Sequence, residues 1–143
     1  MRPPSSALVV DAAILVAAVR GRSSAVIETV AGGRILIATD RALEEARRRI
    51  ALGLKRPDLL SVLERLMNYI AVVPTADFEA DLPQCEQSLK EAVGSRNGSV
   101  KDAHILALAG AVDADIWSSD RDFAGTGIAS WSTPNLLRGL AAE

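Results

Sequence analysis

The sequence predicts an α/β fold with a parallel sheet covered by helices on both faces. Short apolar, β-branched runs alternate with segments of helical periodicity. Apolar residues make up 49% of the chain and aromatics only 3%, so the core must be built from Ala, Val, Ile and Leu. Two of the apolar runs lead into carboxylates: Leu8-Val9-Val10 directly into Asp11, and Ile116-Trp117 through Ser118-Ser119 into Asp120-Arg121-Asp122. In open α/β sheets, sites lie where strands end at their carboxyl side.

The chain has 143 residues, the length of one domain, so residues 1–143 are expected to form a single unit with a real core. Met1 to Ser6 is a polar, Pro-rich lead-in, and Leu8-Val9-Val10 is the first strand. Ala12 to Val19 reads as a short apolar helix stopped by Arg20-Gly21. Ser23 or Ser24 can cap a second helix through Ala31, ended by Gly32-Gly33. Ile35 to Ala38 is the second strand. Thr39 or Asp40 then caps a helix over Arg41 to Leu52, closed by Gly53. Pro57 and Asp58 open a helix from Leu59 to Asn68, with Leu59, Val62, Leu63, Leu66 and Met67 on one face.

Ile70 to Val73 is the third strand, ended by Pro74. Pro83 starts a helix to Val93, and Gly94 to Ser99 is a polar loop. Ser99 caps a helix from Val100 to Val112 that is apolar nearly all round and so belongs in the interior. Asp115 to Trp117 is the fourth strand and Ile128 to Trp131 the fifth. Thr133-Pro134 starts a last helix, Asn135 to Leu140.

Composition removes several function classes. Net charge is −2, so nucleic-acid binding would have to come from a local basic patch. A lone cysteine, Cys85, and a lone histidine, His104, exclude an intrachain disulfide and a nitrogen- or sulfur-rich metal site, leaving only an oxygen-ligand site. The apolar run 8–19, broken by Asp11, is too short for a membrane span. The N-terminus shows no signal peptide, so the expectation is a cytoplasmic protein. No glycine-rich phosphate loop follows a strand, which disfavours a nucleotide-cofactor enzyme. A phosphoacceptor receiver domain lacks its paired acid near the first strand and its late Lys.

The acids are Asp11, Glu44, Glu45, Asp102, Asp120 and Asp122. Clustered carboxylates repel unless a cation sits among them, and Mg²⁺ or Mn²⁺ takes such ligands. Each has a structural reading as well. Asp11 can cap the helix after it, Asp102 can complement a helix dipole, and Asp120 and Asp122 can be plain loop residues. Glu44 and Glu45 flank the apolar face of Leu43, Ala46 and Ile50 nearly symmetrically. Asp102 follows a long connection, which leaves its side of the sheet open. Arg47-Arg48-Arg49 reads first as a solvated helix face and second as a phosphate track. His104 reads first as a hydrogen-bonded structural residue, and Trp117 and Trp131 read as core.

Four pieces carry a family likeness: Val9-Val10-Asp11; Leu43-Glu44-Glu45-Ala46; Lys101-Asp102-Ala103-His104-Ile105-Leu106-Ala107-Leu108-Ala109; and Ala114-Asp115-Ile116-Trp117-Ser118-Ser119-Asp120-Arg121-Asp122-Phe123. In order and spacing the chain resembles the PIN domain, the nuclease fold of many bacterial VapC-type toxins. The resemblance implies a three-layer α/β/α fold with a central parallel sheet of four to five strands. It also implies a metal-dependent endoribonuclease that leaves a 5′-phosphate, the toxin of a type II toxin–antitoxin pair.

By the same resemblance the catalytic acids fall on Asp11, Glu45, Asp102, Asp120 and Asp122. Asp11, Asp102 and Asp120 would hold Mg²⁺ or Mn²⁺. Glu45 is favoured because the family's acid stands five residues before an apolar position, here Ile50; Glu44 stays open. Ser118 takes the place of the Ser or Thr that accompanies the last aspartate. The implied partners are an RNA substrate, a small antitoxin protein and a second copy of the chain, with no membrane. The family often has Asn, Ser or Thr in the two positions after its first aspartate, where this chain has Ala12 and Ala13. That departure supports an alternative: a non-catalytic PIN-like module that binds RNA or a protein partner.

Overall fold

The structure is a computed structural model that describes residues 2–21, 24–91, 100–119, 123 and 125–143. Its centre is a five-stranded parallel sheet built from β1 (Ala7–Val10), β2 (Ile35–Thr39), β3 (Ile70–Val73), β4 (Asp115–Trp117) and β5 (Ser130–Trp131). The strand order is β3-β2-β1-β4-β5. The helices are α1 (Ala12–Val19), α2 (Ser24–Ala31), α3 (Asp40–Arg48), α4 (Leu60–Leu66), α5 (Leu82–Lys90), α6 (Ala103–Val112) and α7 (Thr133–Ala141).

Side-chain alternation along the strands creates two cores. On one face Leu8, Val10, Leu36, Ala38, Trp117 and Trp131 pack against Leu15, Ala46, Ile50, Leu63 and Leu136 of the helical layer. On the other face Val9, Ile37 and Ile116 meet Leu82 and Leu89 of α5 and the buried run Ala103–Ala109 of α6. Each fully buried Leu or Ile contributes about 1.5–3 kcal/mol by leaving water. The expected burial of the apolar helix holds for Ala103–Ala109, whereas its last turn, Gly110–Val112, is exposed. That helix stops at Asp113, which adopts the left-handed conformation an aspartate tolerates (φ 55°), and the Ala114 N–H donates back to the Ala109 carbonyl.

Several elements differ from the local reading. The helix expected over Arg41 to Leu52 starts at Asp40 and is α-helical only to Arg48. It then widens into a π-turn, Arg49–Gly53, in which the Leu54 N–H donates to the Arg49 carbonyl at 2.8 Å. The helix expected from Leu59 to Asn68 is a shorter α4 between two 3₁₀ turns, Pro57–Leu59 and Met67–Tyr69. A 3₁₀ stretch, Thr75–Asp81, precedes α5, and another, Val100–Asp102, precedes α6. The last strand is two residues long rather than four. The last helix begins at Thr133, capped by Ser132. Ser23, Val93, the loop Gly94–Ser99 and its proposed cap lie outside the described residues.

Candidate functional site

β1 leads to β2 on one side and pairs with β4 on the other, so the carboxyl end of β1 is the switch point of this sheet. Asp11 is the first residue past that end. Its N–H donates to the Trp117 carbonyl at 3.2 Å, which ties it to the end of β4. Its carboxylate Oδ1 accepts the Ile14 N–H at 3.0 Å, so Asp11 caps α1 while standing 6% exposed. The structural reading of Asp11 as a cap is therefore correct in itself. A carboxylate has about four lone-pair sites, so capping and metal binding are compatible. Ser118, the first residue past β4, is 1% exposed, and its N–H donates to the Trp131 carbonyl. Asp11 and Ser118 thus stand side by side in the crevice between β1 and β4.

On the other side of β1, Thr39 closes β2. Its hydroxyl accepts the Ala42 N–H at 2.9 Å as the cap of α3, and it shares a 2.7 Å hydrogen bond with His104 Nδ1 in the first turn of α6. Since α6 leads back to the start of β4, it begins at the carboxyl edge, and the Thr39–His104 bond fixes that placement. Asp102, half-buried, is the residue before α6, and its side chain makes no capping bond to the helix. The open question of which edge Asp102 occupies is settled by a tertiary contact: the carboxyl edge.

His104 is 8% exposed. Burial, reinforced by the Arg41 charge and opposed by Asp40, lowers its pKa from 6.5 to about 4. It is a neutral, hydrogen-bonded structural residue at neutral pH, in line with the sequence reading. Asp40 also sits at this edge. It accepts from both the N–H and the hydroxyl of Thr75, and the hydroxyl bond leads in holding its carboxyl below the usual range.

On α3, Glu45 is half-buried and Glu44 exposed, a difference that helical periodicity alone did not give. Asp120 and Asp122 lie outside the described residues. The acids Asp11, Glu45 and Asp102 offer only oxygen donors, the set that Mg²⁺ or Mn²⁺ takes. Among the described residues no group of three His, Cys, Asp or Glu side chains is arranged to hold a metal ion.

One acid went unweighed in the sequence. Asp115 opens β4 at the amino edge, far from the crevice, and is buried. It accepts from the Trp131 indole (2.9 Å), the Arg2 guanidinium (2.7 Å) and the Ser5 N–H (3.1 Å). Burial pushes its pKa up, yet these donors together hold it below the ordinary carboxylate value. Its role is to fasten the lead-in to the sheet. The available signal was an acid at the head of a buried strand.

A chain in the crystal structure of VapBC2 from Rickettsia felis, bound to a DNA fragment from their promoter, superposes with a TM-score of 0.70. The identity is 14%, over 88% of this chain and 98% of that one, a likeness of fold. No curated protein matches the sequence. The PIN domain family model matches residues 9–141, nearly the whole sequence, and the chain belongs to the PIN domain family.

Proposed function

We propose that the chain is a Mg²⁺- or Mn²⁺-dependent endoribonuclease, the toxin of a toxin–antitoxin pair. In this reading Asp11, Asp102 and Asp120 hold the ion, and Glu45 and Asp122 complete the acidic pocket. The observation that carries it is the placement of these elements along one edge of the sheet. The end of β1 with Asp11, the start of α3 and the start of α6 with Asp102 share the carboxyl edge, tied by the Thr39–His104 bond.

The ion, when bound, supplies a water of lowered pKa and stabilises charge at the phosphodiester. The protein contributes carboxylates fixed by strand ends and helix starts. Asp11 is held rigid by its cap to Ile14. His104, uncharged at neutral pH and pinned to Thr39, positions the start of α6.

The likeness to a VapBC2 chain supports an antitoxin protein as partner; in this reading that partner is small and covers the acidic pocket. A homodimer acting in the cytoplasm belongs to the same reading. Among the described residues no helix is long and apolar enough to cross a membrane.

A second reading is a non-catalytic module that binds RNA or a protein. Ala12 and Ala13, in place of polar residues beside Asp11, favour it. The deciding experiment compares RNA cleavage by wild type and Asp120→Asn, each with Mn²⁺ and with EDTA. The nuclease reading expects cleavage only by wild type with Mn²⁺. Equal activity under all conditions would end it, and RNA binding without cleavage would favour the module.

A further inference from the structure

Residues 41–56 carry six of the chain's sixteen Lys and Arg (Arg41, Arg47, Arg48, Arg49, Lys55 and Arg56) against two of its eighteen acids, Glu44 and Glu45. The local charge is +4 in a chain whose net charge is −2. All six cations are exposed. Arg56 is held by Asp58 through two bonds of 3.0 and 2.9 Å, but among the described residues Arg47, Arg48, Arg49 and Lys55 enter no ion pair. That holds even though Glu44 and Glu45 stand one helical turn before Arg48 and Arg49, where i,i+4 pairs form readily.

The backbone under this band is also unusual. The π-turn Arg49–Gly53 follows α3 directly, and Lys55 adopts a left-handed φ of 55°, which a lysine rarely does. Leu52 in the π-turn is 74% exposed. Beyond the turn lies an open cleft of about 450 Å³ lined by Val19, Arg20, Leu54, Arg56 and Leu59.

Direction matters as much as charge. α3 begins at the carboxyl edge, at the Thr39 cap, and runs away from it. Arg41 and Arg48, seven residues apart, lie on nearly the same outer line and about 10 Å apart along the axis. The cations therefore lead from the acidic crevice toward the cleft.

The geometry points to a phosphate track: the exposed cations of α3 and its π-turn bind the backbone of single-stranded RNA as it leaves the acidic crevice. For its substrate this rests on the ribonuclease reading. Unpaired arginines and lysines on a chain of negative net charge recruit a polyanion locally, where the molecule as a whole does not.

The test is fluorescence anisotropy with a labelled uridine-rich RNA of about 12 nucleotides, within the span of known single-strand sites. EDTA is present so that nothing is cleaved. The triple variant Arg47→Gln, Arg48→Gln, Arg49→Gln should bind at least about tenfold more weakly at low salt. Its plot of log affinity against log salt should be shallower by about 2, three contacts at about 0.7 each. The matching triple Lys variant should bind as wild type, because a phosphate accepts either point charge. Lys90→Gln, on α5 against the opposite face of the sheet, should change nothing.

Wild-type RNA affinity in the triple Gln variant overturns the track, including where that variant has lost binding to poly-glutamate, which would assign the band to an acidic protein. Equal loss in the Gln and Lys variants also overturns it. Failure of the nuclease reading looks different: wild type binds the RNA, the triple Gln variant does not, and neither cleaves with Mn²⁺.

Discussion

Thr39 at the end of β2 and His104 in the first turn of α6 share a 2.7 Å hydrogen bond across 65 residues of chain. The same hydroxyl caps α3 by accepting the Ala42 N–H. One buried side chain thus fixes the starts of both α3 and α6, the helices next to the proposed site acids Glu45 and Asp102. Thr39→Val keeps the shape and removes the hydroxyl, leaving a buried ring nitrogen and a helix N–H without it. The expected loss is about 2 kcal/mol, measured by urea unfolding. Thr39→Ser should recover most of it. Cleavage should fall with Thr39→Val and return with Thr39→Ser.

The two glutamates of α3 separate by burial, with Glu45 half-buried and Glu44 exposed. Glu45→Gln is therefore expected to lower kcat for RNA cleavage by about tenfold or more, the scale of losing a charged group at a metal site. Glu44→Gln should stay within about twofold of wild type, as a solvated helix residue does. Single-turnover cleavage assays on the two variants decide between them. A larger loss in Glu44→Gln would reverse the assignment.

The pattern of strands was legible because β-branched runs such as Ile35–Ala38 and Ile70–Val73 have no helical alternative of their own. Ala12–Val19 was legible in full, bounded by a capping acid and by Gly21 at φ 83°. The π-turn was not, since Arg49–Gly53 has an ordinary helical composition and only packing selects the wider bonding. The 3₁₀ stretch Thr75–Asp81 is fixed partly by Asp40, 35 residues earlier, which no local window contains. Asp11, Asp120 and Asp122 read from the sequence as strand-end carboxylates. The edge reached by Asp102 was not, because it depends on a side-chain contact between distant elements.

Asp115 gives a pH dependence with a definite sign. Its folded pKa lies below the ordinary carboxylate value, held there against burial by Trp131, Arg2 and Ser5. The unfolded chain therefore takes up this proton first as pH falls. The stabilisation is complete above about pH 5 and is lost progressively as pH drops through the unfolded value toward the folded one. Asp115→Asn should show a flatter stability curve between about pH 5 and 3. At pH 7 it should be less stable by about 1–3 kcal/mol, through the loss of charge-assisted bonds. A curve parallel to that of wild type would assign the acid sensitivity to other carboxylates.

Gly139 and Gly110 both lie within helices, yet Ala should act on them in opposite directions. A Cβ at Gly139 would meet Trp131 Cζ3 at 3.0 Å and Pro4 Cγ at 3.1 Å. Neither can yield: Pro4 is buried, and Trp131 is anchored by its indole bond to Asp115. Overpacking of about 1–3 kcal/mol should outweigh the gain of about 1 kcal/mol in helix propensity, so Gly139→Ala lowers Tm. A Cβ at Gly110 meets nothing within 4 Å, so Gly110→Ala should raise Tm by the propensity term alone.

Asp11 does two things that can be pulled apart by choice of substituent. It caps α1 through Oδ1, and in the proposed site its charge helps hold the ion. Asn can still accept the Ile14 N–H and ranks with Asp as a cap, so Asp11→Asn should change stability by less than about 0.5 kcal/mol. The variant loses the negative charge, and cleavage should drop by more than about 100-fold, beyond the cost of changing a residue that only supports a metal ligand. Asp11→Ala removes both functions and should lose about 1–2 kcal/mol of stability as well. Thermal unfolding and Mn²⁺-dependent cleavage on the same two proteins separate the roles. If Asp11→Asn folds as wild type and still cleaves at the wild-type rate, Asp11 is a cap alone and the ion must be sought elsewhere along the carboxyl edge.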